Sequence, residues 1–528
     1  MVSQYYAVLM DVISIQKYIY SSNELRNNLG ASHIVKTLFE DLPVSALAEV
    51  CNLKEEEVQE IIVQWRDNPT KIMLDDDPSL LFEIGVSGGG KALLLFRERD
   101  VAERFVKKFT NELLFKAPGI QLAVGIMAGF SPTQEFPKQL EKLYAQMTDN
   151  RNRYFPVTTL PAHSITATNS EGETMSTYYN KDVEKYMDHK TVAKQVAEEE
   201  ARKKLKRDYA ELLKGYSFTT RVDQLGQEKG DSYTAIVHID GNGIGNWFQQ
   251  SGSLADYRIR SINMERITEQ SFRKLITEVV NMLDKLKGIS GFEIKDNLPL
   301  RPLILGGDDL TFMCHGKLGL YLAERFIKIW TQTANQELED LPAEGFSACA
   351  GVAIAKTKYP FYRTYQIAEE LCALAKECHR DEGGSWMDFY IVSGTKSGSV
   401  QSIREAEGKD HDYQLYFGPY VLDNPEHEKA TTHLLDGLWR FYKDTKYWTN
   451  PHLKELRAAF YAGPEALNTF LIDMAARGGS LPKHESARYS SRGYTDGKSP
   501  YPDMIEIMEF YPREILSERR ESIAKVTN

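Results

Sequence analysis

Apolar runs and helical patterns alternate along the first 130 residues in an order that predicts an α+β domain. A strand over residues 5–10 is followed by helical patterns, and two apolar runs, 80–84 and 92–96, then enclose a glycine-rich turn. A further helical pattern over residues 100–114 leads into a strand over residues 121–128. This order of strand, helices, hairpin, helix and strand predicts a sheet that carries helices on one face.

The same order of elements returns in the middle of the chain. A strand over residues 234–239 ends at Asp240, and helical patterns follow as far as Leu286. Two apolar runs then flank Gly306, Gly307, Asp308 and Asp309, and a helix and a strand over 318–337 and 347–355 complete the unit. Two copies of one unit in a chain indicate a duplicated domain.

The remaining segments are rich in helical patterns. The connector between the copies has a polar stretch at 166–177 and a mixed-charge helical pattern at 181–214, whose interleaved signs are typical of a solvated helix. The part after about residue 400 is helix-rich, and the Ser, Gly and Pro content of 480–502 predicts a long loop. We therefore predict four parts, 1–150, 151–225, 226–398 and 399–528.

Composition narrows the class of protein. The chain has 528 residues, 42% hydrophobic and 26% charged, which is typical of a soluble globular protein of several domains. The formal charge of −11 argues against a protein that coats nucleic acid, and it is compatible with binding ATP and magnesium. The five cysteines lack the spacing of a zinc site, and no apolar run is long enough to span a membrane. We predict a cytoplasmic protein that is not anchored to a membrane.

Three aspartates form the strongest candidate site. If the strand that ends at Asp240 lies beside the second hairpin, its carboxylate meets those of Asp308 and Asp309. Carboxylates in one place repel each other unless cations neutralise them, and Mg²⁺ prefers a few carboxylates with substrate phosphates. Such a set suits a two-metal site for attack of a hydroxyl on an α-phosphate. The alternative is an ordinary solvated turn, since Gly and Asp are common turn residues.

A glycine turn and a lysine could hold phosphates next to these acids. The turn follows Asp240 directly and consists of Gly241, Asn242, Gly243, Ile244 and Gly245. Main-chain N–H groups in such a turn can bind a triphosphate, and Lys376 on an amphipathic helical pattern could reach it. A helix lysine is more often a solvated surface residue, and His238, two residues before Asp240, is more often a core histidine than a metal ligand.

These residues together resemble a known family. Residues 236–245, the hairpin at 306–309, and the segments SACAGVAIAKTKYPF (347–361) and AEELCALAK (368–376) resemble the palm domain of GGDEF nucleotide cyclases and of the large polymerase-like subunit of type III CRISPR effector complexes. The CRISPR subunit is the nearer of the two because it also has two palms and a helical C-terminal domain. The resemblance covers residues 1–400 well and the tail only loosely.

The resemblance implies two ferredoxin-like palm domains, a helical linker, a helical C-terminal domain and a nucleotidyltransferase. Asp240, Asp308 and Asp309 are then catalytic and, with Ile239, bind two Mg²⁺ or Mn²⁺ ions, while ATP is converted into a cyclic oligoadenylate or cyclic dinucleotide in antiviral defence. In the first palm the hairpin of Ser87, Gly88, Gly89, Gly90 and Lys91 lacks the acids, so it supplies a second nucleotide pocket or scaffolding.

Two other functions are open alternatives to this hypothesis, and the chain differs from the large members of the family in two expected domains. The protein could use GTP instead of ATP, or it could be a non-catalytic assembly subunit that binds other type III CRISPR subunits and guide or target RNA; a homodimer is also open. The family's large members often begin with an HD nuclease domain and carry a cysteine-ligated zinc ribbon between the palms. We expect neither in this chain, so no DNase activity is implied, and a stand-alone or minimal relative is an equally good interpretation.

Overall fold

The computed structural model of the chain describes residues 4–153, 166–168, 175–181, 184–230, 232–394, 398–407, 414–484 and 487–526. These residues divide into two compact units, each made of segments that are discontinuous in sequence. The first unit contains 1–210, 243–270 and 303–308, and the second contains 211–242, 271–302 and 309–528. The four-part division stays a prediction.

The elements before residue 214 are six strands and eight helices among the described residues. In chain order they are β1 (Tyr5–Ile13), α1 (Ile15–Ile19), α2 (Leu25–Cys51), α3 (Glu55–Asp67), α4 (Met73–Asp76), β2 (Phe82–Gly88), β3 (Lys91–Phe96), α5 (Arg99–Lys116), β4 (Gln121–Phe130), α6 (Phe136–Arg153), β5 (Tyr178–Asn180), β6 (Lys185–Met187), α7 (His189–Asp208) and α8 (Ala210–Leu213).

The first sheet has the strand order β2-β3-β1-β4. Its central strand, β1, pairs antiparallel with both β3 and β4. Alternate residues of these strands, such as Ala7, Leu9 and Leu93, enter one apolar core together with residues of α6 such as Leu143. Because one face of the sheet is buried in this way, a shift of one residue in strand register would expose the core residues, so the register is strongly specified.

The elements after residue 232 are six strands and eleven helices among the described residues. They are β7 (Tyr233–Gly241), α9 (Ile244–Gln249), α10 (Leu254–Leu286), β8 (Leu300–Gly306), β9 (Asp309–His315), α11 (Gly319–Glu337), β10 (Ala348–Lys356), α12 (Phe361–Glu382), β11 (Trp386–Ile391), α13 (Val400–Glu407), β12 (Tyr420–Val421), α14 (Thr431–Lys443), α15 (Asn450–Ala462), α16 (Pro464–Ala476), α17 (Ala487–Arg492), α18 (Tyr501–Ile507) and α19 (Arg513–Val526).

The second sheet has the order β12-β11-β10-β7-β9-β8, which repeats the order of the first sheet and adds two strands. β7 takes the place of β1, the hairpin β8–β9 that of β2–β3, and β10 that of β4. β10 pairs antiparallel with β7 and parallel with β11. The repeated order confirms the predicted α+β fold and the duplication of the palm-like unit.

Helix α12 lies unusually close to β10, and Gly351 is the reason. A Cβ atom on Gly351 would lie 1.9 Å from the carbonyl oxygen of Ala368 and 2.5 Å from the main-chain nitrogen of Cys372. No side chain fits there, since these contacts are with backbone atoms of α12. The glycine therefore fixes the distance of the helix from the sheet.

An ion pair is fully buried inside the first unit. Arg258 and Glu83 have side chains that are 0% exposed, and Arg258 Nη2 lies 2.6 Å from Glu83 Oε1. The guanidinium also donates to the carbonyl oxygens of Lys71, Ile84 and Gly85, at 2.6 to 2.7 Å. This set of bonds satisfies the buried charge and ties the start of α10 to strand β2.

Several expected boundaries are corrected. The strand predicted over residues 5–10 extends to Ile13 and includes Asp11, and the strand predicted to end at Asp240 includes Gly241, because the antiparallel ladders continue past both aspartates. Part of the helical pattern at 181–214 is instead the hairpin β5–β6, where Tyr179 faces Tyr186. The predicted loop at 480–502 contains the short helix α17, while residues 485–486 lie outside the described part.

None of the described helices combines the length and the apolar character that a membrane span requires.

Candidate functional site

Strand register brings two of the three predicted aspartates face to face. Asp309 is the first residue of β9, and the antiparallel ladder pairs it directly with Asp240 on β7. Directly opposite residues have Cβ atoms about 5 Å apart, and like charges in such a pair destabilise the sheet. A positive charge close to this pair would therefore stabilise the second unit.

The Asp309 carboxylate is largely buried and incompletely satisfied. Its side chain is 27% exposed, and its Oδ1 atom is buried without a hydrogen-bond partner among the described residues. Burial first and the Asp240 carboxylate second raise the pKa of Asp309 to about 8, although Lys376 and the Thr311 hydroxyl oppose the rise. An unpartnered buried carboxylate oxygen beside a second acid is a suitable ligand for a hard divalent cation.

His238 lies on β7 with Asp240, and its ring contacts Thr311 and Asp309 on the neighbouring strand β9. Its Nδ1 atom lies 3.0 Å from Thr311 Oγ1 and 3.4 Å from Asp309 Oδ1. The ring is buried, and burial lowers its pKa, so the neutral form is favoured. Thr311 is a neighbour that the sequence analysis missed; its position two residues after Asp309, on the same face of β9, was the available signal.

Lys376 contacts Asp240. Its Nζ atom donates to Asp240 Oδ2 at 2.5 Å and to the carbonyl oxygen of Gly241 at 3.2 Å. The side chains of both residues are partly accessible, 27% exposed for Lys376 and 34% for Asp240. The predicted lysine is thus at the site, and it partly neutralises the two acids.

Glu369, a second residue of α12, also interacts electrostatically with this site and was not predicted from the sequence. Glu369 lies at the surface, where neighbouring protein atoms exclude part of the solvent from its carboxyl group and raise its pKa, and its charge interacts with that of His238. Glu369 lies seven residues before Lys376, which is two helical turns along one face of the helix, and this spacing was the signal that could have identified it.

Asp308 and the glycines of the hairpin belong to the segment 303–308 of the first unit. Asp308 is half-buried in the turn next to Gly307. Gly307 has φ of 60°, a left-handed conformation that favours glycine, and its carbonyl accepts a hydrogen bond from Thr268 Oγ1 at 2.5 Å. A Cβ atom on Gly306 or Gly307 would meet nothing within 4 Å, so the space beside the turn is open.

The residues of the predicted glycine turn differ in their roles. Gly243 has φ of 69° and precedes helix α9, and a Cβ atom on Gly243 or Gly245 would meet nothing within 4 Å. Ile239 and Ile244 are buried, so their side chains serve the core. Asn242 Nδ2 donates to Ser347 Oγ at 3.0 Å and thereby joins the turn to the start of the β10 segment.

The part of the chain that the structure describes contains no group of three or more His, Cys, Asp or Glu side chains placed to hold a metal ion. The second unit instead presents two facing acids and one ammonium group, so the three-carboxylate metal site stays a prediction.

Residues 233–383 match the Cas10/Cmr2 second palm domain. This match spans β7, the hairpin, β10 and α12, which carry Asp240, Asp309 and Lys376. The resemblance to the large palm subunit of type III CRISPR complexes is thereby confirmed for this part of the chain. We call residues 233–383 the second palm and its repeat in the first unit the first palm.

Solved structures of Csm1 are similar to the chain at low sequence identity. Csm1 from T. onnurineus has 12% identity and a TM-score of 0.45, over 96% of this chain and 70% of Csm1. The Csm1-Csm4 cassette in complex with cA4 has 12% identity and a TM-score of 0.44, with the same coverage. The cassette in complex with one ATP has 12% identity and a TM-score of 0.43 over the same shares. No curated protein sequence matches the chain.

The first palm has a counterpart of the acid pair. The ladder between β1 and β3 pairs Asp11 directly with Lys91, as the ladder between β7 and β9 pairs Asp240 with Asp309. The strand acid is therefore kept in the first palm, and the hairpin acid is replaced by a lysine. Lys91 thus occupies the position of Asp309, an equivalence that strand pairing reveals and the local sequence does not.

The first palm also has a positively charged residue on the helix that packs against its sheet, at the position equivalent to Lys376. Gly125 of β4 lies against α6 as Gly351 of β10 lies against α12, because the missing side chains would meet Met147 and Cys372, respectively. Four residues further along each helix stand Arg151 and Lys376. Burial raises the pKa of Asp11, and the charges of Lys91 and Arg151 oppose that rise.

The remaining predicted residues of the first palm form its hairpin. Ser87 is buried, Gly88 ends β2, and Gly89 and Gly90 form the turn with φ of 58° and 78°. A Cβ atom on Gly88 or Gly89 would meet nothing within 4 Å, whereas one on Gly90 would lie 2.6 Å from the side chain of Ile15, so open space lies only beside Gly88 and Gly89.

Proposed function

We propose that the second palm is a metal-dependent nucleotidyltransferase that joins ATP molecules into a cyclic oligoadenylate or a cyclic dinucleotide with release of pyrophosphate. The observation that carries the proposal is the facing pair of Asp240 and Asp309. Two acids opposite each other cost stability in a sheet, and a buried oxygen without a partner costs more. A function that uses their charge accounts for both costs.

The acids present fit divalent cations. Asp240 and Asp309, with Asp308 next to Asp309 in the chain, would hold Mg²⁺ or Mn²⁺ through hard oxygen atoms, and Asp309 Oδ1 accepts no hydrogen bond from the described residues. When bound, the ions would favour ionisation of the attacking ribose hydroxyl and stabilise the leaving pyrophosphate. We include Ile239 as a ligand only through its main chain, because its side chain is buried.

The other residues have roles that follow from their chemistry. Lys376 carries a flexible ammonium group suited to a phosphate oxygen, and the open space beside Gly243 and Gly245 admits a polyphosphate near main-chain N–H groups. The hydrogen bond between His238 and the Thr311 hydroxyl fixes both side chains beside Asp309 and thereby restricts the side-chain rotation of Asp309. The hairpin of the first palm, at Ser87, Gly88, Gly89 and Gly90, is proposed to form a nucleotide pocket of its own.

The test is product analysis. The purified chain is incubated with each of the four nucleoside triphosphates and Mn²⁺, with and without candidate activating RNA and type III partner subunits, and products are identified by mass spectrometry. We expect cyclic adenylate products that disappear in Asp240→Asn and Asp309→Asn but persist in Asp381→Asn, an exposed acid of α12. Products from GTP alone would support the GTP-using alternative. Intact nucleotides under every condition would refute catalysis, and co-purified RNA would then favour the assembly role.

A further inference from the structure

We propose that Lys376 is a resident counter-ion of the second palm that occupies the cation position at Asp240 and must leave it before a divalent cation binds. This inference rests on the proposed function, since it concerns the same acids. It adds a competition between the protein's own ammonium group and the metal ion, and therefore a side-chain movement that precedes metal binding.

Two contacts of the Lys376 ammonium group define the cation position. Lys376 Nζ lies 2.5 Å from Asp240 Oδ2 and 3.2 Å from the carbonyl oxygen of Gly241. A carboxylate oxygen and a neighbouring main-chain carbonyl oxygen are the ligand types that Mg²⁺ and Mn²⁺ bind. A dication bound by these oxygens would lie within a few ångström of the ammonium group, and the two positive charges would repel each other strongly in a partly buried site.

The structure allows the side chain to move while its helix stays in place. Gly351 sets α12 against β10 through backbone contacts, so the helix cannot shift without breaking close packing. The Lys376 side chain, in contrast, is 27% exposed and has a flexible stem of four carbons. Release from Asp240 is therefore a rotation of one side chain, which leaves the ammonium group available for a phosphate.

The counter-ion also explains why the metal-free site is tolerated. When both carboxyl groups are ionised, Asp240 and Asp309 face each other across the ladder and their charges repel. The ammonium group of Lys376 contacts Asp240, which lies directly opposite Asp309, so its positive charge stands next to the acid pair. Lys376 thus stabilises the palm before metal binds, and the same contact weakens metal binding.

Metal affinity without nucleotide tests the competition. Mn²⁺ binding is measured by electron paramagnetic resonance on wild type, Lys376→Met and Arg380→Met, which removes an exposed cation of the same helix that pairs with Glu377. We expect Lys376→Met to bind Mn²⁺ roughly tenfold more tightly, because no ammonium group has to be displaced. Arg380→Met should match the wild type, and Asp240→Asn should lose the site. Equal or weaker Mn²⁺ binding by Lys376→Met overturns the proposal.

A second measurement uses the wild type and decides the matter if Lys376→Met fails to fold. Lysine amines are labelled with an isotope-coded acetylating reagent with and without Mg²⁺, and the labelling of Lys376 is compared with that of exposed Lys358 by mass spectrometry. We expect Mg²⁺ to increase labelling of Lys376 several-fold and to leave Lys358 unchanged. Unchanged labelling of Lys376 overturns the proposal. Neither experiment contains nucleotide, so a failure of ATP turnover is distinguishable from a failure of this inference.

Discussion

Asp309→Asn should make the metal-free protein more stable at alkaline pH. The pKa of Asp309 is raised from 3.8 to about 8 in the folded state, so between these values the folded chain holds a proton that the unfolded chain has lost. The unfolding free energy of the wild type therefore decreases as pH rises through this window and becomes level above about pH 8. Asparagine resembles the protonated carboxyl group and does not titrate, so the variant lacks this decrease.

The size of the effect follows from the shift. Each pH unit over which one proton is held by only one state changes the unfolding free energy by about 1.4 kcal/mol, so the full shift sets an upper limit of about 6 kcal/mol. Solvent reaches the 27% of the side chain that is exposed and reduces this value. We expect Asp309→Asn to exceed the wild type by about 2 kcal/mol at pH 9 and to equal it near pH 4.

The assay is urea unfolding from pH 4 to 9 with a chelator present, followed by intrinsic fluorescence. The difference between variant and wild type cancels the titration of other groups, and Asp381→Asn on the exposed face of α12 should show a difference independent of pH. Added Mn²⁺ should reverse the order, because only the wild type keeps the metal ligand. The reasoning would be refuted if the difference in unfolding free energy between Asp309→Asn and the wild type did not change with pH, or if the wild type became the more stable of the two towards pH 9.

Three other substitutions test the scaffold. Arg258→Met should lower the unfolding free energy by about 3 to 5 kcal/mol because it leaves Glu83 buried and unpaired, and adding Glu83→Gln should recover part of the loss in denaturant titrations. Gly351→Ala should cost about 3 kcal/mol or abolish soluble expression, whereas Gly306→Ala, whose Cβ meets nothing within 4 Å, should melt like the wild type. Lys91→Asp should place two acids opposite each other in the first palm, lower the unfolding free energy by about 1 kcal/mol, and respond to Mn²⁺ in thermal melts; no response to Mn²⁺ would contradict the equivalence of the palms.

Local patterns in the sequence predicted the elements that carry the second-palm site. Apolar runs on both sides of Gly306 and Gly307 identify the hairpin, and the short, mostly apolar run before Asp240 identifies a strand. Recurrence of the same order identifies the duplication. These features depend on neighbouring residues, which is why one sequence suffices for them.

The contacts within the site depend on packing between distant segments. The pairing of Asp11 with Lys91 joins residues eighty positions apart, and it follows from strand register. The contact between Lys376 and Asp240 depends on how closely α12 approaches the sheet at Gly351. The hairpin β5–β6 was missed because its strands are only three residues long, which is too short for a period-2 pattern to stand out from the charged helical pattern that follows.

The repeated register has a consequence for how the two palms diverged. Three equivalent positions carry Asp240, Asp309 and Lys376 in one copy, and an acid and two cations in the other. In formal charge the first set sums to minus one and the second to plus one. Exchange of a single residue, the hairpin acid for Lys91, therefore reverses the sign of the whole set. The charge of this set therefore favours a cation in the second palm and an anion in the first palm, although the strand pairing of the two is the same.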